Sequence, residues 1–408
     1  MYEQLSGLLG LEGLIVTSVA ERGDELDLEV ELVAAGGCCP GCGRGSCEVK
    51  ERPLVRVRDL PIAGRRTFLV WRKRRFRCCV CVHTFTERHE ELPSRQRVTR
   101  RFRRRLFTRA SEGAAHAEVA RGEETTRYQV ARAFALGAAI ELVACVEAGP
   151  PRRLSLDEAH HRRGHELATI VSDPDNRRVV EVLEGRSRRV VERYLRSLPE
   201  LERQAIAAVS IDPYDAYRQA VRHELPQAQI ICDPFHLVRG ANEALETVRR
   251  ERQRQPALRR RQQGRKPRTR SWQQQLFHAR HRLLKARERL TFQQRRSLCE
   301  LFEAEPLIAE AWALKEAFRA IYRSTSRSEA EQRLERFLAA VDRAAIPSFS
   351  AFAEGTRLWR EELLAYFDQP ITNGYAEGVT NKIKVIKRRA YGLPTFNGFR
   401  QRVLVACG

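Results

Sequence analysis

Two Cys-x-x-Cys pairs near the amino terminus constrain this chain more than any other feature of its sequence. Cys39 and Cys42 form CPGC, Cys78 and Cys81 form CCVC, and 35 residues separate the pairs. A tight turn of this kind presents two thiolates, and two such turns complete a tetrahedral Zn²⁺ site. The spacing predicts a zinc ribbon with one structural zinc ion; buried or redox-active thiols are the alternative. Three neighbouring cysteines compete as ligands: Cys38, Cys47 and Cys79.

The chain is strongly basic, and the excess is concentrated in one segment. Its 408 residues include 74 Lys and Arg against 52 Asp and Glu, a net charge of +22. Residues 249–296 hold 18 basic and two acidic residues, whereas residues 1–90 hold 14 and 13. An excess of basic residues in one segment favours nucleic acid as the partner. The alternative is that a generally Arg-rich coding sequence raises the count of basic residues. The cations expected to bind DNA in this segment are Arg259, Arg260, Arg261, Arg265, Lys266 and Arg268.

Hydropathy and the amino-terminal sequence exclude two other classes of protein. No apolar run reaches the roughly 18 residues that a membrane span needs, so no membrane partner is expected. The first residues, MYEQLSGLLGLEGLIV, have no basic stretch before the apolar run and no small-residue cleavage site. This pattern argues against export and predicts a cytoplasmic protein.

A helical segment follows the cysteine module, from Val98 to Glu147. A basic helix comes first, and two short helices joined by a turn follow, the second of which opens at a Thr125 or Thr126 cap. This order predicts a helix-turn-helix that binds DNA, with a plain helical linker as the alternative. Pro150 and Pro151 end the helical pattern and mark a domain boundary. The predicted DNA contacts are Arg101, Arg104, Arg105, Arg127 and Arg132.

Residues 151–240 show three strand-like runs, a helix, a strand, a helix and a strand. That order predicts a mixed sheet covered by helices, as in an RNase H-like domain. Asp157 would lie on the first strand and Asp212 at the carboxyl end of the fourth, where α/β sheets gather ligands. The two strands are expected to be neighbours, which brings two carboxylates together.

The carboxyl-terminal segment NGYAEGVTNKIKVIKRRAYG supplies a third acid. At 100° per residue, one helical face carries Glu377, Asn381, Lys384 and Arg388, and aliphatic residues lie opposite. Three carboxylates can hold two Mg²⁺ ions roughly 3.5–4 Å apart, which activate the attacking oxygen and stabilise the leaving oxygen. Asp157, Asp212 and Glu377 are therefore the candidate catalytic, Mg²⁺-binding residues. For each acid alone, a surface carboxylate is the alternative.

Several motifs recur together along the chain: the CxxC pairs with TFTE at Thr84–Glu87, SLDE, SIDPYDAYRQAV, CDPFHLVRGANEAL, NGYAEGVTNKIKVIKRRAYG and FNGFRQRVL. Over nearly all of its length the chain resembles DDE transposases of the ISL3 family of bacterial insertion sequences. The resemblance implies Asp157, Asp212 and Glu377 as the metal-binding triad of a nucleoid-associated protein. Asp233 and His236 match a D/C-x-x-H element of related transposases; His236 either orders the site or a DNA end, or is a core or capping histidine. The side chains expected to support the site are Asp233, His236, Asn381, Lys384 and Arg388.

More than 140 residues separate Asp233 from Glu377, far more than a simple connection needs. They predict an inserted helical domain whose basic part, broken by Gln, Gly and Pro, is a mobile arm ordered by DNA or a solvated loop. Trp272, Trp312 and Trp359 either stack on an unpaired base or lie in the core.

The predicted fold class is a multidomain α+β protein with an amino-terminal zinc ribbon and helix-turn-helix, then an RNase H-like α/β catalytic domain interrupted by a large helical insertion. The predicted domains are the strand-rich zinc ribbon 1–94, the helix-turn-helix 95–150, the first part of the catalytic core 151–240, the helical insertion with the basic arm 241–368, and the carboxyl-terminal core helix with the catalytic Glu 369–408.

The predicted function is transposition. Mg²⁺-dependent hydrolysis at the terminal inverted repeats frees a 3′-OH, which then attacks target DNA at the same site. Because two ends must meet, a homodimer on DNA is expected. One rival is a catalytically inactive, zinc-containing DNA-binding regulator derived from a transposase. The other is a small-phosphate metallohydrolase using Asp157, Glu158, His160, His161 and His165, but neighbours on a strand alternate faces and cannot all converge.

Overall fold

The structure is a computed structural model. It describes residues 2–34, 36–46, 48–93, 97–146, 149–161, 166–262, 270–371, 374–390, 393 and 395–408; its description excludes the side chains of residues 2–4, 46, 142–146, 255–262, 270–272 and 376–377. The chain divides into two compact units. One comprises Met1–Cys145 and Val385–Leu393, and the other Val146–Lys384 and Pro394–Gly408. The finer division into five domains remains a prediction.

The first unit begins with helix α1 and a run of short strands. Their bounds are α1 Tyr2–Leu9, β1 Leu14–Arg22, β2 Glu25–Leu32, β3 Gly37–Cys38, β4 Gly45–Ser46, β5 Val49–Glu51, β6 Leu54–Arg58, β7 Arg66–Arg72, β8 Arg75–Arg77 and β9 Thr84–Thr86. One four-stranded sheet has the order β1-β2-β7-β6. Alternate residues of these strands, such as Val30, Leu69 and Trp71, are buried in one apolar cluster, as a one-sided sheet requires. The cysteine module is built from the pair β3-β4 and the sheet β5-β8-β9.

Three helices follow these strands along the chain: α2 Arg100–Ser111, α3 His116–Gly122 and α4 Arg127–Val146. Thr99 caps α2 by accepting a hydrogen bond from the Phe102 backbone N–H. Helix α4 has 20 residues, so the second of the two predicted short helices is in fact long. Its Gly137 permits close packing on α2, because a Cβ there would lie 2.3 Å from the Phe107 ring.

The second unit contains a five-stranded sheet. Its strands are β10 Arg153–His160, β11 Leu167–Asp173, β12 Arg178–Glu184, β13 Ala208–Ile211 and β14 Gln229–Cys232, joined in part by helices α5 Arg188–Ser197, α6 Glu200–Ala205 and α7 Asp215–Glu224. The order is β12-β11-β10-β13-β14. The β10–β11 and β11–β12 pairs are antiparallel, and the β10–β13 and β13–β14 pairs are parallel. Every residue of β13 is buried, as expected of a strand covered on both faces.

Helices dominate the chain after β14. They are α8 Pro234–Gln262, α9 Arg270–Leu284, α10 Phe292–Ala304, α11 Pro306–Ile321, α12 Arg327–Ala344, α13 Pro347–Leu358, α14 Arg360–Leu364, α15 Gly374–Arg389 and α16 Phe396–Cys407. The expected break at Pro256 is wrong, since α8 continues to Gln262. Leu276 and Phe318 share one continuous apolar cluster with Val209 of the sheet, so the helices that follow the sheet pack on its core. Among the described residues, no helix combines the length and apolar character needed to cross a membrane.

Candidate functional site

The four cysteines of the two CxxC pairs converge on one point. The Sγ atoms of Cys39 and Cys81 are 3.5 Å apart, those of Cys42 and Cys78 are 3.6 Å apart, and all four lie within 4.8 Å of one another. The adjacent Cys38 and Cys79 are exposed and do not belong to this cluster. Cys47 lies outside the described residues. Four thiols at these separations form the donor set of a structural Zn²⁺ site.

The two cysteine turns have the same construction. The backbone N–H groups of Gly41 and Val80 each point at the first Sγ of their turn, at 3.4 Å. Each turn then passes through a left-handed residue, Gly43 with φ +72° and Val82 with φ +61°. This conformation is ordinary for glycine but strained for a β-branched residue, so the second turn must be held by its surroundings.

The pKa values of two of the four cysteines, Cys78 and Cys42, shift in opposite directions. Backbone N–H groups of Cys81 and Val80 lower the pKa of Cys78 to about 6. The backbone near Arg44 acts in the same direction on Cys42, but the sulfur atoms of Cys78 and Cys81 outweigh it and raise the pKa of Cys42 to about 12. At neutral pH Cys78 is therefore mainly the thiolate that binds Zn²⁺, whereas Cys42 holds a proton that Zn²⁺ would replace.

Asp157 and Asp212 lie side by side although 54 residues separate them in the sequence. Strands β10 and β13 run parallel with Leu156 opposite Ile211, and the two aspartates come directly after these paired residues. One oxygen of each carboxylate lies within 4.8 Å of the other and of a ring nitrogen of His236. The pairing of these two parallel strands thus brings together Asp157, within β10, and Asp212, at the carboxyl end of β13, as predicted for neighbouring strands.

His236 lies between two carboxylates. Its Nδ1 donates a hydrogen bond to Asp233 Oδ2 at 2.8 Å and lies 2.9 Å from Asp212 Oδ1. Burial disfavours the imidazolium, but the hydrogen bonds and charges of Asp212 and Asp233 outweigh it and raise the pKa of His236 to about 10. His236 thus contacts both acids and holds them in position.

Asp212 retains a binding capacity that the protein does not satisfy. Its Oδ1 is buried and lies 2.9 Å from His236 Nδ1, at an angle outside good hydrogen-bond geometry. Burial raises the pKa of Asp212, and His236 opposes the shift. A buried carboxylate oxygen beside a second carboxylate has the chemistry of a hard divalent-cation ligand, so these residues fit Mg²⁺.

Helix α15 reaches this site through a residue that the sequence reasoning missed. Thr380 Oγ1 donates a hydrogen bond to Asp157 Oδ2 at 2.8 Å, and the backbone N–H of Glu158 donates to Asp157 Oδ1 at 2.7 Å. Glu377 precedes Thr380 by three residues, about one helical turn, in α15; its side chain lies outside the described residues. The helical spacing of Thr380 from Glu377 was the available signal.

A cavity of about 500 Å³ opens beside the aspartates. Asn381 and Lys384 line it from α15, and both are exposed, while Val379 and Ile383 on the other face are buried, as the helical wheel predicts. Arg388, one turn further along, is exposed. The sequence reasoning also missed Phe235 and Arg239, which line this cavity.

The alternative site built on histidines does not form among the described residues. His161 is buried, and its ring packs on those of Phe396 and Phe399 at 5.3 and 4.9 Å. His160 is exposed, Glu158 pairs with Arg186, and His165 lies outside the described residues. The histidine that reaches Asp157 and Asp212 is His236.

The structure gives Arg101 a role other than the expected DNA contact. Its guanidinium donates to both oxygens of the fully buried Asp59, with Nε 2.7 Å from Oδ1, and to the carbonyl of Leu9 at 2.6 Å. Arg105 also pairs internally, since its Nε lies 2.8 Å from Glu123 Oε1. Arg105 is nevertheless exposed, as are Arg104, Arg127 and Arg132.

Replacing Arg101 with Ala should lower the free energy of unfolding of the first unit by about 3 kcal/mol, because Asp59 would keep a buried charge without its main partner. Arg104→Ala is the matched control on the same helix: we expect a change within about 0.5 kcal/mol and weaker DNA binding. Urea unfolding of both variants measures the difference. Equal stabilities would show that the Arg101–Asp59 pair contributes nothing.

The basic arm falls largely outside the described residues. The backbones of Arg259, Arg260 and Arg261 lie in α8, but their side chains are not described. Residues 263–269 lie outside the described part of the chain. The DNA contacts expected of Arg265, Lys266 and Arg268, and the mobile arm, therefore remain predictions. Trp359 is buried and Trp312 packs on the same core, consistent with the core alternative; the side chain of Trp272 is not described.

Comparison with known proteins identifies the family. Residues 154–403 match a family model described as transposase, and residues 35–81 match the zinc-finger of transposase IS204/IS1001/IS1096/IS1165. The chain is 30% identical over 403 residues to the transposase for insertion sequence element IS1001 of Bordetella parapertussis, covering 96% of this chain and 94% of the relative. It is 29% identical over 252 residues to the transposase for IS1557 of Mycobacterium tuberculosis, covering 59% and 56%. The chain therefore belongs to the ISL3 family of DDE transposases, and its amino-terminal cysteine module is the zinc ribbon of that family.

Proposed function

We propose that this transposase cuts DNA at the ends of its insertion sequence and joins the freed 3′-OH ends to target DNA, with divalent metal held by Asp157, Asp212 and Glu377. The meeting of the Asp157 and Asp212 carboxylates within 4.8 Å carries the proposal. Two acids from distant sequence positions that lie side by side are poorly placed for stability alone, because their negative charges repel each other. They are well placed to bind a cation.

The chain's own residues orient the reacting groups. Thr380 and the Glu158 backbone N–H fix both oxygens of Asp157, and His236 fixes Asp212 and Asp233. When bound, a pair of Mg²⁺ ions activates the attacking oxygen and neutralises the leaving oxygen of the phosphodiester. Lys384 lines the cavity and supplies positive charge for the DNA phosphates.

The RNase H-like fold of the second unit is part of the proposal. Its sheet order, β12-β11-β10-β13-β14, with three antiparallel strands followed by parallel ones, is the order inferred for such a domain. Helices α8 to α14 then stand between β14 and α15, in the place of an insertion. We propose that this insertion extends the DNA-binding surface, with the basic residues 249–296 at its start.

Recognition of the DNA ends is assigned to the first unit. The zinc ribbon and helices α2 to α4 would bind the terminal inverted repeats, with Arg104, Arg127 and Arg132 as exposed cations. Both relatives are transposases for insertion sequence elements, which supports DNA as the partner. Two ends must be joined in one event, so we propose that two protomers act together on DNA.

Cleavage of labelled duplexes that carry the element's own ends tests the proposal. With Mg²⁺ the native chain should nick at the element boundary, and Glu377→Gln should reduce the rate at least about a hundredfold, because a metal ligand loses its charge. Glu354→Gln, an exposed acid on α13, is the matched control and should cut normally. Full cleavage by Glu377→Gln would remove that residue from the site, and no metal-dependent cleavage by the native chain would reject the function.

A further inference from the structure

A groove lined mainly by arginines runs between helices α8 and α9. Its volume is about 580 Å³, and residues about one turn apart on each helix form its two walls. Four of these residues are arginines and one is an acid: Arg249, Arg250, Arg254, Arg280 and Glu246. Four positive charges against one negative charge give this α8–α9 groove a net charge of +3. Such a surface attracts polyanions.

Glu246 lies at the centre of these arginines. Its Oε1 accepts hydrogen bonds from Arg249 Nη2 at 2.7 Å and from Arg250 Nε at 2.9 Å. The same oxygen lies 3.8 Å from Arg280 Nε, and the Glu246 side chain is only 12% exposed. The hydrogen bond from Arg249 is the main cause that holds the pKa of Glu246 below its usual value. Glu246 is therefore ionised at neutral pH, and one carboxylate orients three guanidinium groups.

The three oriented guanidinium groups differ in how far they are committed to the fold. Arg249 is buried and also donates to Gln253 Oε1 at 2.6 Å and to the Leu276 carbonyl at 3.2 Å, so it links α8 to α9. The Arg250 and Arg280 side chains are 57% and 44% exposed. A single carboxylate balances only one of the three charges, and each guanidinium carries five N–H donors. Arg250 and Arg280 therefore keep positive charge and donors for an anionic ligand in the groove.

We infer that the α8–α9 groove binds the phosphate backbone of duplex DNA, and that Glu246 is a positioning residue that raises DNA affinity despite its negative charge. Arg250 and Arg280 contact the phosphates. Glu246 holds their guanidinium groups in place beforehand, so less side-chain entropy is lost when DNA binds. Because phosphates carry no base identity, the groove binds element ends and target DNA alike. This inference rests on the proposed function for its partner, DNA, but not on where that DNA is cut.

Two acid-to-amide variants test the inference, because they add the same charge and should change DNA affinity in opposite directions. Fluorescence anisotropy measures binding of the full chain, without divalent metal, to a labelled duplex of random sequence at several salt concentrations. Glu251→Gln changes an exposed acid of α8 outside the groove and should leave binding unchanged or up to about twofold tighter. Glu246→Gln should weaken binding at least about fivefold and reduce the slope of log K against log salt by about 1 to 2, because the amide holds Arg250 and Arg280 less firmly.

Two arginine variants guard the test against a folding defect. Arg250→Gln should weaken binding to the same duplex about fivefold in the native chain but hardly at all in the Glu246→Gln background, because the two residues act as one unit. Arg343→Gln, which changes an exposed arginine of α12 outside the groove, should alter binding by less than about twofold. If circular dichroism shows that Glu246→Gln unfolds, the comparison of Arg250→Gln with Arg343→Gln in the native chain decides.

Each outcome separates the groove from the proposed function. Tighter or unchanged binding by a folded Glu246→Gln chain, or an Arg250→Gln effect no larger than that of Arg343→Gln, would overturn the inference. Cleavage of element ends by the native chain, measured separately with Mg²⁺, reports on the proposed function. A chain that cleaves without the expected differences in binding retains the function and loses the groove as a DNA site, and a chain that shows these differences without cleaving does the reverse.

Discussion

Replacing Asp212 with Asn should slow DNA strand cleavage by about a thousandfold or more while leaving DNA binding within about twofold of native. A thousandfold corresponds to about 4 kcal/mol of transition-state stabilisation, the scale expected if Asp212 binds the metal as proposed and loses its charge. Asparagine has the size of aspartate, and burial already raises the pKa of Asp212, so the neutral amide should not unfold the site. His236 keeps its hydrogen bond to Asp233. The measurement is single-turnover nicking of labelled element ends with Mg²⁺, alongside the affinity for the same DNA.

Asp215→Asn provides the matched control for this experiment. Asp215 lies three residues further on, is about half exposed, and pairs with Arg218 on the surface of α7. The same chemical change there should leave both cleavage and binding unaltered. If the Asp212 variant cut as fast as the native chain, Asp212 would not be a ligand. If it lost DNA binding as well, the residue would be structural and the thousandfold effect would carry no mechanistic meaning.

The meeting of Asp157 and Asp212 was predictable because it depends on short-range patterns. Asp157 lies on the first strand and Asp212 follows the apolar run of the fourth, and the pairing of these two adjacent parallel strands brings the aspartates side by side. The two faces of α15 were predictable for the same reason, since helical periodicity alone separates Ile383 from Lys384. In both cases a short pattern along the sequence is enough to predict where a side chain lies.

Contacts that depend on long-range packing were not predictable in this way. Arg101 finds Asp59, which lies 42 residues earlier, only after α2 has packed, so a row of arginines on one helix looked uniformly available to DNA. Thr380 reaches Asp157 across 223 residues. The continuity of α8 through Pro256 likewise escaped a rule that treats proline as a helix end, although a single lost hydrogen bond can be accommodated in a long packed helix.

Removing the zinc ligand Cys39 should unfold the cysteine module while leaving the rest of the first unit folded. The module has strands of two or three residues, and Phe76 is its main buried side chain besides Cys39 and Cys78, so its apolar core is too small to fold alone. A structural Zn²⁺ contributes roughly 10–16 kcal/mol to such modules. The four-stranded sheet has its own apolar cluster around Val30, Leu69 and Trp71 and does not depend on the metal.

Cys39→Ser should therefore lose bound zinc, as counted by native mass spectrometry, and amide hydrogen exchange should become fast in β3, β4, β5, β8 and β9 but stay slow in β1, β2, β6 and β7. Binding to element ends should fall at least tenfold if the ribbon contacts DNA. Cys79→Ser is the control, because Cys79 is exposed and lies next to Cys78 without joining the cluster. Since both variants make the same chemical change within one small module, only ligation can separate them: equal zinc content and equal protection in the two would show that these four sulfur atoms do not hold the metal.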